Sequence, residues 1–383
     1  MDTSVYVHFP WCLAKCPYCD FASGAIRAAE VPHDAYADAV LRELEERAES
    51  LAGRHLVSVF FGGGTPSLWS AAALGRVLAS IEAAFETRAP EVEVTVECNP
   101  SSLDEDRARA FVDVGVDRLS IGVQSLDDAR LRFLGRLHDA AGARRAVSGA
   151  VKHVPRVSGD LMFGMPGQRA DDFATELSEL VDLGVEHVSA YALTIEPATQ
   201  FGALHKKGKL QLAPEDGFAE TFERARAELS ARGFAHYEVS NHAREGAESR
   251  HNLHTWRGGD YLGLGAGAVG ALSEGTRARR YRNDPRPERY LACGLGGGEP
   301  REIFEEHLEP SDRIGEALML GLRTAEGVDL DVVRARTERD PLAGRERALE
   351  RRVRQGDVTL DGARLRVPAS RWLLLDSIVA DLF

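Results

Sequence analysis

The sequence predicts an α/β fold: an open or partial barrel of six parallel strands, each followed by a helix, with a smaller C-terminal α+β piece. Three observations predict it. Over roughly the first 200 residues, short apolar β-branched runs alternate with helical patterns about every 30 residues, the beat of parallel βαβ units. Nearly every run ends in residues able to bind a ligand, as strands do at the C-terminal mouth of a barrel. Three cysteines, Cys12, Cys16 and Cys19, follow the first run and supply a metal-binding loop at that mouth.

The strands are expected at 4–8, 57–61, 91–97, 118–122, 157–162 and 187–193. Between them Tyr36, Val40, Leu44 and Ala48 recur every four residues, with Asp and Glu on the other faces. Leu74, Val77, Leu78 and Ile81 form a buried helical stripe, and Phe173, Leu177, Leu180 and Val181 form another. Six strands are too few for a closed eight-fold barrel. The strand ends read Gly62-Gly63-Gly64-Thr65-Pro66, Glu97-Cys98-Asn99-Pro100, Gly122-Val123-Gln124-Ser125 and Gly164-Met165-Pro166-Gly167.

Composition bounds the function. A chain of 383 residues with 44% hydrophobic content suits one large domain plus a smaller one, or two domains. A net charge of -13 disfavours a nucleic-acid partner. No basic, then apolar, leader opens the chain, and no uncharged apolar run is long enough to span a membrane. Five cysteines, three of them clustered, fit a reducing cytoplasm.

The spacing C-x3-C-x2-C, bent by Pro10 and Pro17, lets three thiolates converge on one cubic iron–sulfur cluster. Three ligands on four irons leave one iron open to a substrate or cofactor. A disulfide plus one free thiol is the first alternative. Zinc is the second, but it wants a fourth ligand at comparable spacing, and nearby His8 sits in an expected strand.

C-x3-C-x-aromatic-C resembles the signature of the radical S-adenosylmethionine (SAM) enzymes. That resemblance implies a partial (β/α)6 TIM-like barrel, a 4Fe–4S cluster, and SAM chelated to the open iron through its methionine amine and carboxylate. It also implies an electron donor, since one electron from the reduced cluster cleaves the sulfonium. The protein's part is to hold the cofactors and exclude water. The triple glycine with Thr65 is similar to the superfamily's GGGTP motif, whose backbone meets the methionine amine; on residues alone it also reads as a tight turn. The resemblance gives SAM-binding roles to Glu97, to Gln124 and Arg136 twelve residues apart, and to Asp160 in an apolar strand. It places Tyr6 near the cluster. Without it, Glu97 also reads as a solvated strand end, Arg136 as a surface charge, and Tyr6 as a core aromatic.

The second half narrows the group. His236 to Asn241, Arg250 to Trp256 and Tyr261 to Gly267 form a dense polar and aromatic stretch that resembles the oxygen-independent coproporphyrinogen oxidase-like family. That family includes an oxidase, which decarboxylates two propionates, and a heme chaperone, which passes heme to acceptor proteins. The oxidase carries a further cysteine two residues after the third, where this chain has Phe21, and a long extension before its cluster motif, where this chain has Cys12. Both departures favour the chaperone, so no catalytic residue is assigned. Its H-N-x-x-Y-W motif reads His251-Asn252-Leu253-His254-Thr255-Trp256, with Thr255 in place of Tyr; its G-A-H-G reads Gly267-Ala268-Val269-Gly270. The resemblance makes His251 the candidate heme ligand and His254 a spare.

Gly265-Ala-Gly267-Ala-Val-Gly270 fits G-x-G-x-x-G, but 261–264 is short for a strand and 272–282 lacks a helical stripe, so a dinucleotide fingerprint is not expected. Arg277, Arg279, Arg280 and Arg282 read as a solvated basic loop, or as partners for porphyrin propionates. A linker zone is expected at 284–301. Helices at 312–322, 328–336 and 349–355, short strands at 358–360 and 365–367, and a helix at 372–383 suggest a winged-helix-like module that packs on the barrel or receives a partner. The expected division is 1–235 for the cluster and SAM barrel, 236–300 for the heme or substrate segment and linker, and 301–383 for the C-terminal module.

Overall fold

The structure, a computed structural model, describes residues 1–294 and 300–382. Six parallel strands lie side by side in chain order: β1 (Asp2–Phe9), β2 (His55–Gly63), β3 (Thr87–Cys98), β4 (Arg118–Gln124), β5 (Arg156–Phe163) and β6 (His187–Ala192). Each contains its expected run, extended by a few residues at one or both ends or, for β6, one residue shorter. Their crossovers run through helices α1 (His33–Glu46), α2 (Ala71–Ala84), α3 (Glu105–Asp113), α4 (Ala140–His153) and α5 (Ala170–Asp182). The α1 stripe is as expected through Leu44, while Ala48 falls in the 3-10 turn after it.

Alternation within each strand explains both faces of the sheet. Outward positions Val5, Val7, Val59, Phe61, Val94, Val96, Leu119, Ile121, Val157 and Leu161 are buried against Tyr36, Val40, Leu74, Val77, Ile81, Val147, Phe173 and Leu177 of the helices. Inward positions are mostly polar: Ser4, Tyr6, His8, Ser58, Glu93, Thr95, Glu97, Arg118, Ser120, Ser158, Asp160, His187 and Ser189. A barrel meant to be a packed core fills its interior with branched apolar residues. This one presents a polar lumen to a ligand.

The sheet is wider than expected. Past helix α6 (Glu215–Ala231), the sheet continues beside β6 with the antiparallel hairpin β7 (Ala235–Glu238) and β8 (Asn241–Ala243). On the other side β9 (Asp260–Leu264) pairs in parallel with β1, and β10 (Val269–Glu274), β11 (Arg277–Asn283) and β12 (Glu302–Leu308) follow antiparallel. The result has twelve strands in the order β12-β11-β10-β9-β1-β2-β3-β4-β5-β6-β8-β7.

Several expectations change here. Residues 260–264 are a strand after all, but a strand rather than a helix follows the glycines, so the dinucleotide fingerprint still fails. The glycines form a packing node: Gly265 has φ +100°, and a Cβ on it would lie 2.4 Å from the His8 carbonyl oxygen. The arginine run is strand β11, not a loop. Its residues face acids of β12 and the helix after it, in the pairs Arg277–Glu309, Arg279–Glu302, Arg279–Glu305 and Arg280–Glu316. None of the four lines the cup described below, so nothing in the fold presents them to a porphyrin there. The linker zone contains a helix, Pro287–Ala292, and 295–299 lie outside the described residues.

The C-terminal piece has α8 (Pro310–Gly321), α9 (Leu330–Thr337), α10 (Glu346–Arg354) and α11 (Leu375–Leu382) around a small sheet of β13 (Val328–Asp329), β14 (Thr359–Asp361) and β15 (Arg364–Arg366), ordered β13-β15-β14. The expected helix at 328–336 therefore begins as a strand, and the expected helix from 372 begins as a 3-10 turn, Ala369–Leu374. Its last expected residue, 383, lies outside the described residues. The piece packs on the sheet edge: Val239 N–H donates to the Arg323 carbonyl at 3.1 Å, Ala325 N–H to that of Tyr237 at 2.9 Å, and Trp372 meets the His236 ring edge-on. No helix among the described residues is long and apolar enough to cross a membrane.

Candidate functional site

The C-terminal ends of β1 to β6 surround a cup of about 690 Å³, closed beneath by the short helix α7 (Arg250–Trp256). Cys12, Cys16, Cys19, Tyr6, Gly63, Gly64, Thr65, Glu97, Gln124, Arg136, Asp160 and His251 all line it. The exception is Gly62, which lies behind the wall: a Cβ there would sit 2.8 Å from Tyr6 and 2.9 Å from Phe60, so glycine lets the two aromatics close up. Gly64 has a similar role, since a Cβ on it would strike the Trp11 backbone at 2.5 Å. Close packing thus calls for glycine at Gly62 and Gly64, and only Gly63 of the three is held at a positive φ, +110°. Gly63 turns its N–H to Glu97 Oε2 at 3.1 Å.

The cysteine loop is pinned at both ends. Residues Trp11–Cys12 pair with Gly24–Ala25, Cys19 N–H closes a turn onto the Cys16 carbonyl at 3.2 Å, and Thr65 N–H holds the Trp11 carbonyl at 2.8 Å. All three thiols are free and half-buried. Burial pushes the Cys12 and Cys19 thiols up; Cys16 pushes both further, and Cys12 also pushes Cys19, so the three lie within electrostatic reach. Arg136 reaches Cys16 Sγ at 3.5 Å and the Gly122 carbonyl at 2.8 Å. Among the described residues no three His, Cys, Asp or Glu side chains close round a point as they would for a single ion. A cube takes each thiolate on a different iron, so its ligands stand apart at separate corners; this soft, all-sulfur donor set suits such a cluster.

Gln124 is held at φ +66°, in the left-handed region a non-glycine residue rarely occupies, at a register shift between β4 and β5. Among the described residues its Oε1 is buried without a partner. Such strain is retained where surrounding structure fixes a side chain for a task.

The acids sit deeper. Glu97 pairs across the sheet with Ser120, and Asp160 with Ser189. Burial, then repulsion from Asp160, raises the Glu97 carboxyl to about 7, against the Gly63 N–H and Arg118. Burial also raises Asp160, opposed by Ser189, Arg118, Ser120 and Ser158; Ser120 Oγ lies 3.2 Å from Asp160 Oδ2.

At the bottom His251 is 7% exposed. Its Nδ1 lies 3.0 Å from Ser58 Oγ, its ring stacks on Phe60 at 4.8 Å, and its backbone N–H donates to Glu93 at 2.9 Å. Burial lowers its pKa to about 3, so the ring is neutral at physiological pH. His254, three residues on, points out of the cup and meets the Asp260 carbonyl through Nε2 at 2.9 Å, which removes it as a spare ligand. Thr255 and Trp256 line the cup.

The sequence reading missed Arg118, Ser120, Ser189, Tyr191 and Glu238 in the wall. A signal was available: in Arg118-Leu-Ser-Ile-Gly and His187-Val-Ser-Ala-Tyr polar residues alternate with apolar ones, marking a polar inner face. Arg323, which comes from the C-terminal piece and lies 4.8 Å over the Trp256 ring, gave no such signal.

Comparison with known proteins matches this geometry. The family described as the Radical SAM superfamily matches residues 6–180, and that described as the HemN C-terminal domain matches 308–374. The chain is 37% identical over 332 residues to the heme chaperone HemW of Haemophilus influenzae, covering 85% of this chain and 83% of that one. It is 40% identical over 271 residues to HemW of Escherichia coli, covering 70% of each. It is 35% identical over 383 residues to HemW of Mycobacterium tuberculosis, covering 99% and 94%. Among solved structures, coproporphyrinogen III oxidase (HemN) from Escherichia coli superposes with a TM-score of 0.81 at 22% identity, over 100% of this chain and 89% of that one, a likeness of fold.

Proposed function

This chain belongs to the HemW family of radical SAM proteins, and from that premise we propose that it is a heme chaperone that holds a SAM-ligated 4Fe–4S cluster and passes heme to an acceptor protein. One observation carries the cofactor reading: three free thiols, two carboxylates, a guanidinium and a strained glutamine, from separate strand ends, line a single cup. In this reading Cys12, Cys16 and Cys19 hold the cluster. Glu97 takes the ammonium of SAM, Arg136 its carboxylate, and Asp160 its ribose, with Tyr6, Gln124 and the backbone of Gly62 to Thr65 shaping the contact. When bound, the cluster supplies one electron at a time, and a separate protein delivers it. The chain's own residues orient the ligand and keep water from it.

Heme is read onto the bottom of the cup. Ser58 occupies Nδ1 of His251, which leaves Nε2 of a neutral imidazole as the ligand atom, with Phe60 and Trp256 as apolar walls. The division into barrel (1–235), heme segment (236–300) and C-terminal module (301–383) follows from these roles, and the reading places the protein in the cytoplasm. Heme titration tests it. His251→Phe is expected to weaken heme binding at least tenfold, roughly the 1.4 kcal/mol such a factor represents, and to change the bound-heme absorption spectrum. Unchanged affinity and spectrum would remove His251 from the site. Anaerobic conversion of coproporphyrinogen would instead favour the oxidase.

A further inference from the structure

A line of buried hydrogen bonds runs from the cup to the start of α7. Ser158 Oγ lies 3.4 Å from Asp160 Oδ1 and 2.7 Å from His187 Nδ1. His187 Nε2 lies 2.8 Å from Tyr237 OH, and Ser249 N–H donates to that oxygen at 3.3 Å. Ser249 is the N-cap of α7. Ser158, His187, Tyr237 and Ser249 are all buried.

The line has one self-consistent direction. Ser249 N–H can only donate, so the Tyr237 hydroxyl proton has His187 Nε2 as its acceptor. His187 then carries its proton on Nδ1 and donates to Ser158 Oγ. The Ser158 hydroxyl proton is left with Asp160. Run the other way, the tyrosine proton has no acceptor among the described residues. Every donor therefore points toward Asp160, which Ser120 also reaches at 3.2 Å. Hydrogen bonds donated to a carboxylate favour its ionised form against the cost of burial and fix its orientation. Charged and titratable groups around the line are Glu97 and Arg118 beside Asp160, Arg118, Arg156 and His242 beside His187, and Glu93, Glu238 and Arg118 beside Tyr237.

We infer that His187, acting through Ser158, is a positioning residue that keeps Asp160 an all-acceptor carboxylate, so that the site recognises a ligand bearing a vicinal diol. The inference rests on the reading of Asp160 as the ribose contact and adds the device that makes it one. Ser158→Ala interrupts the line, and Ser158→Thr keeps the hydroxyl.

The test is equilibrium dialysis of anaerobically reconstituted, cluster-loaded protein against S-adenosylhomocysteine and its analogue lacking both ribose hydroxyls, at neutral pH. The wild-type chain is expected to prefer the diol. Ser158→Ala is expected to cut that preference about tenfold and to leave the analogue's affinity unchanged. Ser158→Thr restores the preference, and His187→Phe behaves as Ser158→Ala. Equal weakening of both ligands would mean packing damage and overturn the inference, as would an unchanged Ser158→Ala. A wild-type chain with no preference for the diol would remove Asp160 from the ribose and take the underlying reading with it.

Discussion

Cys16→Ala is expected to leave a folded chain that takes up no intact cluster. Cys16 sits in a half-buried loop outside the apolar core, so its loss costs little stability, about 1 kcal/mol or less. Its sulfur faces Arg136 at the centre of the loop, and two thiolates do not retain a cube meant for three. Neither remaining cysteine is a substitute. Cys98 also lines the cup, but burial pushes its thiol far up and it donates to the Val96 carbonyl; Cys293 lies outside the cup lining. Iron and sulfide content after anaerobic reconstitution, with circular dichroism for the fold, checks this. Full iron and sulfide in the variant would exclude Cys16 as a ligand.

Glu97→Gln is expected to weaken SAM by about 30- to 100-fold at high pH, the worth of a charge-assisted hydrogen bond, and to flatten its pH dependence. In the wild-type chain the carboxyl titrates at about 7, so affinity for the ammonium should rise with pH through that region. The sign for stability is opposite. The folded pKa stands above the ordinary value of 4.5, so the ligand-free chain has the full benefit of a neutral carboxyl below 4.5 and loses it as pH rises through about 7. The loss stays below about 3 kcal/mol, because Glu97 lines the open cup and is only half-buried. Relative to Glu97→Gln, the wild-type chain should therefore lose melting temperature as pH rises while gaining SAM affinity. Parallel pH profiles for the two would contradict this role for Glu97.

Much of this was legible in the sequence for a physical reason. Parallel strands buried on one face by helices give apolar period-two runs, and their C-terminal ends must hold the ligand, so the cysteines, Glu97, Gln124 and Asp160 could be placed without coordinates. What stayed hidden depends on contacts distant in sequence. The arginines of β11 read as a loop because their neutralising acids, Glu302, Glu305, Glu309 and Glu316, come later in the chain. His251 and His254 share one helical turn, and only the packing of α7 under the barrel separates them, one against Phe60 and the other against the Asp260 carbonyl. Glycine supplied a mixed signal, since Gly62 and Gly64 are needed for packing as much as for a ligand.

The central claim is that three thiolates grip an iron–sulfur cube and leave its fourth iron for SAM. Electron paramagnetic resonance of the reduced, reconstituted protein tests it most directly. The account predicts a 4Fe–4S signal that shifts on adding SAM, and no such shift in Glu97→Gln at concentrations that saturate the wild-type chain. A protein that assembles no cube, or a signal indifferent to SAM, would contradict it.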